Sequence, residues 1–196
     1  MMRFSSFLCA VVLCSGAAFA QSSNSEIRRV VTTIDAGGKA VVLTDSQLAM
    51  KPGASPNPAA NVWATESGPA DYSFTADRTV KPGLMPPKAG TVLRIVDFVP
   101  TTADEEGKLP PDMMMKVAGA GAPAKGLPPK HPFMHRTRTV DYALILSGEI
   151  DMMLDDTVLH LKTGDVVVQQ ATNHAWINRG NAPCRVAFIL MDAQEP

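Results

Sequence analysis

The chain has 196 residues, with 18 basic and 19 acidic side chains and a formal net charge of −1. That balance, with no basic run, argues against a nucleic-acid partner. A hydrophobic fraction of 45% is enough for a packed core, while 16 prolines and 14 glycines predict many turns.

The first twenty residues, MMRFSSFLCAVVLCSGAAFA, read as a secretory leader. Arg3 supplies the positive start, Phe4–Ala17 the apolar run, and Ala18-Phe19-Ala20 a small-x-small cleavage site. The run is too short and wrongly flanked to span a bilayer. Cleavage after Ala20 predicts a periplasmic or secreted protein with no remaining membrane association. Cys9 and Cys14 leave with the leader, so Cys184 has no partner for an internal disulfide. Within PCRVAFIL it reads as a small buried hydrophobe.

Beyond the leader, Ile27–Ile34 and Ala40–Leu43 flank a DAGGK turn, which is a hairpin signal. KPGASPNP at 51–58 is a loop, punctuated throughout by Pro and Gly. Asn61–Thr65 and Thr91–Phe98 are strands. Asp104–Met115 has room for a short helix that Pro110 and Pro111 limit. Met113–Met115 fits flexible apolar filler at a barrel end better than a copper site. Residues 119–132 form either a lid or a long connection. From there the pattern is nearly continuous strand and turn: Thr139–Leu146, Ile150–Leu154, Val158–Leu161, Val166–Gln169, His174–Asn178 and Arg185–Met191, with turns at Gly148 and Gly164. Many short strands, and no helix long enough for a βαβ unit, predict an all-β sandwich or barrel. The expected division is a leader at 1–20, an extension at 21–130 and a regular core at 131–193.

The residues that carry chemistry fall between Met134 and Asn178. Strand alternation turns His135, Thr137 and Asp141 to one face. His174 follows after a turn-rich return. Two histidines and a carboxylate converging in a barrel would form a three-ligand metal site with open positions. The plainer reading is a pair of hydrogen-bonded core histidines. Asp141, inside an apolar strand, is costly unless a metal or one of Arg136, Arg138 and Arg185 compensates it. His131, four residues before His135, is either exposed or an extra ligand folded in from its loop. His160 reads as surface. Trp176 and Asn178 share parity with His174, and with Thr137 and Tyr142 they are the expected pocket lining. Phosphate loops, nucleophile elbows and paired-cysteine metal motifs are absent from the sequence.

HRTRTVDYALILSGEI and LKTGDVVVQQATNHAWIN together resemble the two signature motifs of the cupin superfamily. His135 stands at the first histidine of the first motif, Asp141 at its glutamate and Gly148 at its glycine. Gly164, His174 and Asn178 stand at the matching positions of the second. Thr137 replaces the second histidine, and Gln169 and Ala171 replace a proline and a glycine. The resemblance covers about a third of the chain. It implies a double-stranded β-helix, the cupin jelly-roll barrel, with an N-terminal extension of strands and loops that wraps the barrel or pairs with a second subunit in a homodimer. It also implies a divalent metal on His135, Asp141 and His174, Fe(II) or alternatively Mn or Zn. The chemistry would be oxygenase, decarboxylase or isomerase chemistry on a small organic molecule. Loss of a ligand at Thr137 keeps open a non-catalytic, metal-free cupin that binds a small ligand. A barrel filled by its own side chains is a third reading.

Overall fold

The computed structural model describes residues 26–53, 55–70, 85–118, 123 and 125–194. The expected leader at 1–20 and the stretch 119–122 lie outside the described residues.

Five strands precede two short helices: β1 (Glu26–Ile34), β2 (Ala40–Ala49), β3 (Lys51–Pro52), β4 (Pro58–Thr65) and β5 (Thr91–Phe98), then α1 (Ala103–Glu106) and α2 (Met113–Ala118). Six more strands follow: β6 (Thr139–Ser147), β7 (Glu149–Met153), β8 (Val158–Lys162), β9 (Val166–Gln170), β10 (Ala175–Ile177) and β11 (Cys184–Asp192). The fold is the all-β cupin barrel that the resemblance implied. A six-stranded sheet in the order β3-β4-β5-β11-β6-β9 faces a three-stranded sheet in the order β10-β7-β8. Strands β3 to β5, expected in an extension, are integral to the large sheet. β5 pairs with β11 along its whole length, from Thr91 opposite Met191 to Phe98 opposite Cys184.

Side chains alternate along these strands, and the inward set closes the core. Ala143, Ile145, Ile150, Met152, Trp176, Cys184 and Val186 form its largest cluster. Cys184 is buried, as its apolar setting predicts. Trp176 stands edge-on to Phe188 with ring centroids 5.4 Å apart, and Phe98 packs on both rings. On the opposite face of the large sheet, Arg185 donates two hydrogen bonds to Asp97 at 2.6 and 2.7 Å. This fork-to-carboxylate geometry lets a buried acid sit in a sheet.

The helical region differs from the single short helix expected. Pro110 and Pro111 split it: α1 ends at Glu106 and α2 begins at Met113. Thr102 and Glu105 form a reciprocal capping box on α1. Among the described residues, β1 and β2 pair only with each other. Their outer face carries the Arg28–Asp45 ion pair and the exposed apolar residues Val30, Ile34 and Val42.

The turn between β9 and β10 is unusual. Ala171 has φ +53°, the left-handed region, at the position where the resembling motif carries glycine. Its N–H donates to the Thr139 carbonyl at 3.1 Å, which ties the turn to the start of β6. A non-glycine residue there costs about 1–2 kcal/mol. Ala171→Gly should therefore raise stability by roughly 0.5–1 kcal/mol after the added freedom of the unfolded chain is subtracted. Urea unfolding monitored by fluorescence checks this, and an unchanged or lower midpoint would contradict it.

Candidate functional site

The site begins with two backbone hydrogen bonds. The His135 N–H donates to the His174 carbonyl and the His174 N–H to the His135 carbonyl, each at 2.9 Å. This isolated antiparallel bridge lies outside the named strands, because β6 starts only at Thr139. Residues that exchange both bonds put their side chains on the same side. The two imidazoles consequently lie with centroids 4.3 Å apart and planes inclined by 50°.

Each ring is oriented by its own chain. Nδ1–H of His135 donates to the Phe133 carbonyl at 2.9 Å, and Nδ1–H of His174 donates to the Thr172 carbonyl at 3.0 Å. A carbonyl accepts only, so both Nδ1 atoms carry the proton and both Nε2 atoms carry a lone pair. Burial pushes the pKa of His135 down, and the Phe133 carbonyl only partly offsets this. Burial pushes His174 well below its ordinary value, and the neighbouring His135 adds to the effect. The pair is thus neutral at physiological pH.

Both histidines line a cavity of about 990 Å³, as do Thr137, Asp141 and Trp176. Val96, Phe98, Phe133, Phe188 and Leu190 make much of the remaining wall apolar, and Met114 and Val117 of α2 cover part of it. The size suits a small organic molecule. Thr137 is buried and shares a 2.7 Å hydrogen bond with the Thr139 hydroxyl. Asp141 accepts from the Gln169 amide at 3.1 Å through Oδ2, while its buried Oδ1 has no hydrogen-bond partner. Burial raises its pKa to about 6, and Thr139 draws it partly back.

A three-ligand group is not what the chain pre-forms. Among the described residues, no three His, Cys, Asp or Glu side chains come close enough to hold an ion together. The donor chemistry of the histidine pair does fit a metal. Each ring carries its lone pair on Nε2 and is backed by an Nδ1–H bond to a carbonyl, the usual second support of a metal-bound imidazole, and the ring centroids are 4.3 Å apart. Asp141 lines the same cavity but is engaged with Gln169.

Comparison with known proteins shows what this chain is similar to. The cupin-domain family model matches residues 123–190. Residues 123–190 are a cupin domain. Phomopsin biosynthesis cluster protein D of Diaporthe leptostromiformis is 32% identical over 141 residues, covering 67% of this chain and 59% of that protein. The cupin-domain-containing oxidoreductase fogC of Aspergillus ruber is 28% identical over 142 residues, covering 68% of this chain and 56% of that protein. The chain therefore spans less than two thirds of the length of these relatives. Among solved structures, the Schizosaccharomyces pombe Cnp3 cupin domain is 12% identical, with a TM-score of 0.41 over 86% of this chain and 88% of that one.

Several residues of this cupin sit elsewhere than their sequence suggested. Tyr142 is not a pocket residue. It follows Asp141 directly, so alternation turns it to the outer face, where it is 41% exposed. His131 is not an extra ligand at the cavity. Its Nε2–H donates to the nearly buried Glu106 at 3.0 Å. Asn178 lines a separate, smaller cavity of about 290 Å³, and its amide donates to the Phe98 and Ala182 carbonyls. Of the arginines considered for Asp141, Arg185 pairs with Asp97 and Arg136 donates to the Asn173 side chain. His160 is at the surface, held by Asp151 on the adjacent strand. Two residues were missed. Gln169 holds Asp141, and Arg94 places a buried guanidinium in the cavity wall, with Nε donating to Asn61 at 2.7 Å. Gln169 had a usable signal, since it pairs directly with Asp141 across β6 and β9.

The buried carboxylate makes stability depend on pH. Because the folded pKa of Asp141 lies above its unfolded value, its stabilising contribution is complete below about pH 4 and lost as pH rises through about 6. The expected loss is roughly 2–3 kcal/mol. Asp141→Asn keeps an acceptor for Gln169 and removes the titration. Denaturant unfolding of chelator-treated protein at pH 4 to 7 should show wild type losing that amount relative to the variant, and parallel pH profiles would refute the assignment.

Proposed function

We propose that this protein is an exported cupin enzyme of the oxidoreductase type, acting on a small and largely apolar organic molecule with a divalent metal held by His135 and His174. One observation carries the reading: two neutral imidazoles, locked side by side with Nε2 lone pairs, at the polar end of a large apolar cavity. The similarity to cupin-domain-containing oxidoreductases supports the reaction class. The leader-like run at 1–20 supports export.

Iron(II) suits imidazole ligation with open positions, and manganese or zinc are the alternatives. A bound ion would supply Lewis acidity and, as iron, one-electron redox capacity. The chain's own residues do the rest. Trp176 and Phe188 keep water from the apolar wall. Thr137 lines the cavity with its hydroxyl held by that of Thr139. Asp141 is placed to hold or take a proton at Oδ1, which lacks a partner. Arg94 gives the wall a fixed positive charge that favours a substrate with an anionic or strongly polar group.

Metal analysis of the protein beginning at Gln21, purified without chelator and without a histidine tag, tests the reading. Near-stoichiometric metal is expected, with at least tenfold less in His135→Ala and His174→Ala. Absence of metal even after anaerobic iron loading would sink it. A second reading, a metal-free cupin that binds a small ligand, is favoured by Thr137 at the missing histidine and by the separation of Asp141 from the pair. Under that reading His174→Ala weakens ligand binding while wild type carries no metal.

A further inference from the structure

We propose that Glu106 and His131 are positioning residues for His135, acting through the peptide groups of Phe133. This rests on the histidine pair being the working site.

A continuous chain of hydrogen bonds connects them. Arg179 grips both carboxylate oxygens of Glu106, at 2.5 and 2.6 Å. The same carboxylate accepts from Nε2–H of His131 at 3.0 Å. His131 Nδ1 then accepts from the Phe133 N–H at 3.2 Å. The Phe133 carbonyl accepts Nδ1–H of His135 at 2.9 Å.

Each link fixes the next by donor and acceptor logic. A carboxylate cannot donate, so the proton of His131 is on Nε2. Nδ1 is left with a lone pair, and this is what the Phe133 N–H requires. Holding that N–H, together with the 2.9 Å bond from the Met134 N–H to the His131 carbonyl, sets the turn through residues 131–134. The turn aims the Phe133 carbonyl at His135. That bond in turn selects the His135 tautomer whose Nε2 lone pair is available as a ligand. Glu106 lies 29 residues before His135 in the chain, at the end of α1, and its side chain is 6% exposed. A carboxylate on the nearest surface helix would ordinarily be solvated. Here it is buried against a histidine that does not reach the main cavity, an arrangement with no role in the core clusters. Phe133 also lines both the main and the smaller cavity, so the same turn fixes the partition between them.

The test reads the His135 tautomer directly and needs no metal. In uniformly ¹⁵N-labelled, chelator-treated mature protein, the imidazole ¹⁵N shifts of His135 should report a protonated Nδ1 and an unprotonated Nε2. Two substitutions at His131 divide its two bonds. Asn keeps an oxygen where Nδ1 sat and can accept the Phe133 N–H, so His131→Asn should keep the His135 tautomer. Gln can reach Glu106 but offers no acceptor to Phe133, so His131→Gln should drive His135 toward mixed tautomers. Glu106→Ala should do the same with His131 intact. Titration with Co(II) should show about 10–100-fold weaker binding in His131→Gln and near wild-type binding in His131→Asn, the usual range for loss of an outer support. Thermal melts confirm that each variant is folded. An unchanged His135 tautomer in folded His131→Gln and Glu106→Ala would overturn the proposal. So would equal losses in the Asn and Gln variants, which would mark His131 as a packing residue only. If wild type takes no Co(II) but the tautomers respond as stated, the relay stands and the metal reading fails.

Discussion

The pair of backbone hydrogen bonds between His135 and His174 is the constraint on which the site depends. Neither residue belongs to a strand, yet the bridge joins the segment before β6 to the segment before β10. It thereby ties the large sheet to the small one at the open end of the barrel. Two residues that exchange both bonds cannot turn their side chains apart. The closeness of the two rings is thus a property of the backbone, and the Nδ1–H bonds to Phe133 and Thr172 only choose how each ring turns. Two neutral rings tolerate such proximity, whereas two cations would not.

Around that bridge the protein tolerates groups that a core optimised for stability would avoid. Asp141 is buried with one oxygen unpartnered, Arg94 places a guanidinium in an apolar wall, and Ala171 turns through a backbone region better suited to glycine. All three lie on the cavity or on the turn that leads to His174. The buried carboxylates Asp97 and Glu106 are paired closely, with Arg185 and Arg179. Strain and unsatisfied polar groups held at a cavity are common at functional sites, although Ala89 shows that a left-handed residue also occurs away from this one.

Much of this could be read from the sequence because strand alternation and turn chemistry are local. The inward set His135, Thr137 and Asp141, the turns at Gly148 and Gly164, and the pairing of Trp176 with His174 all follow from counting by two. The same rule, applied consistently, excludes Tyr142, since adjacent residues in a strand cannot share a face. The partner of His131 was not readable, and that of Asp141 only through the β6–β9 pairing. Glu106 comes from a helix 25 residues before His131, and Gln169 from a strand 28 residues after Asp141. Arg94 stayed hidden because β5 lies inside the large sheet, between β4 and β11, with apolar residues on both faces and one charged residue on each. Its alternation was too weak to show which way the arginine pointed. That the three-ligand group is not pre-formed among the described residues has a related reason: a common face does not set the distance between side chains.

The five residues from His131 to His135 have a consequence for how this chain can change over generations. His131 meets Glu106, Phe133 divides two cavities, and His135 joins the bridge to His174, each at intervals of two. A single inserted or deleted residue in this stretch would change the spacing between at least two of these three groups. Drift in the length of this loop should therefore be far rarer than drift in its composition, and variation in length should collect before residue 131, in the Pro- and Gly-rich approach.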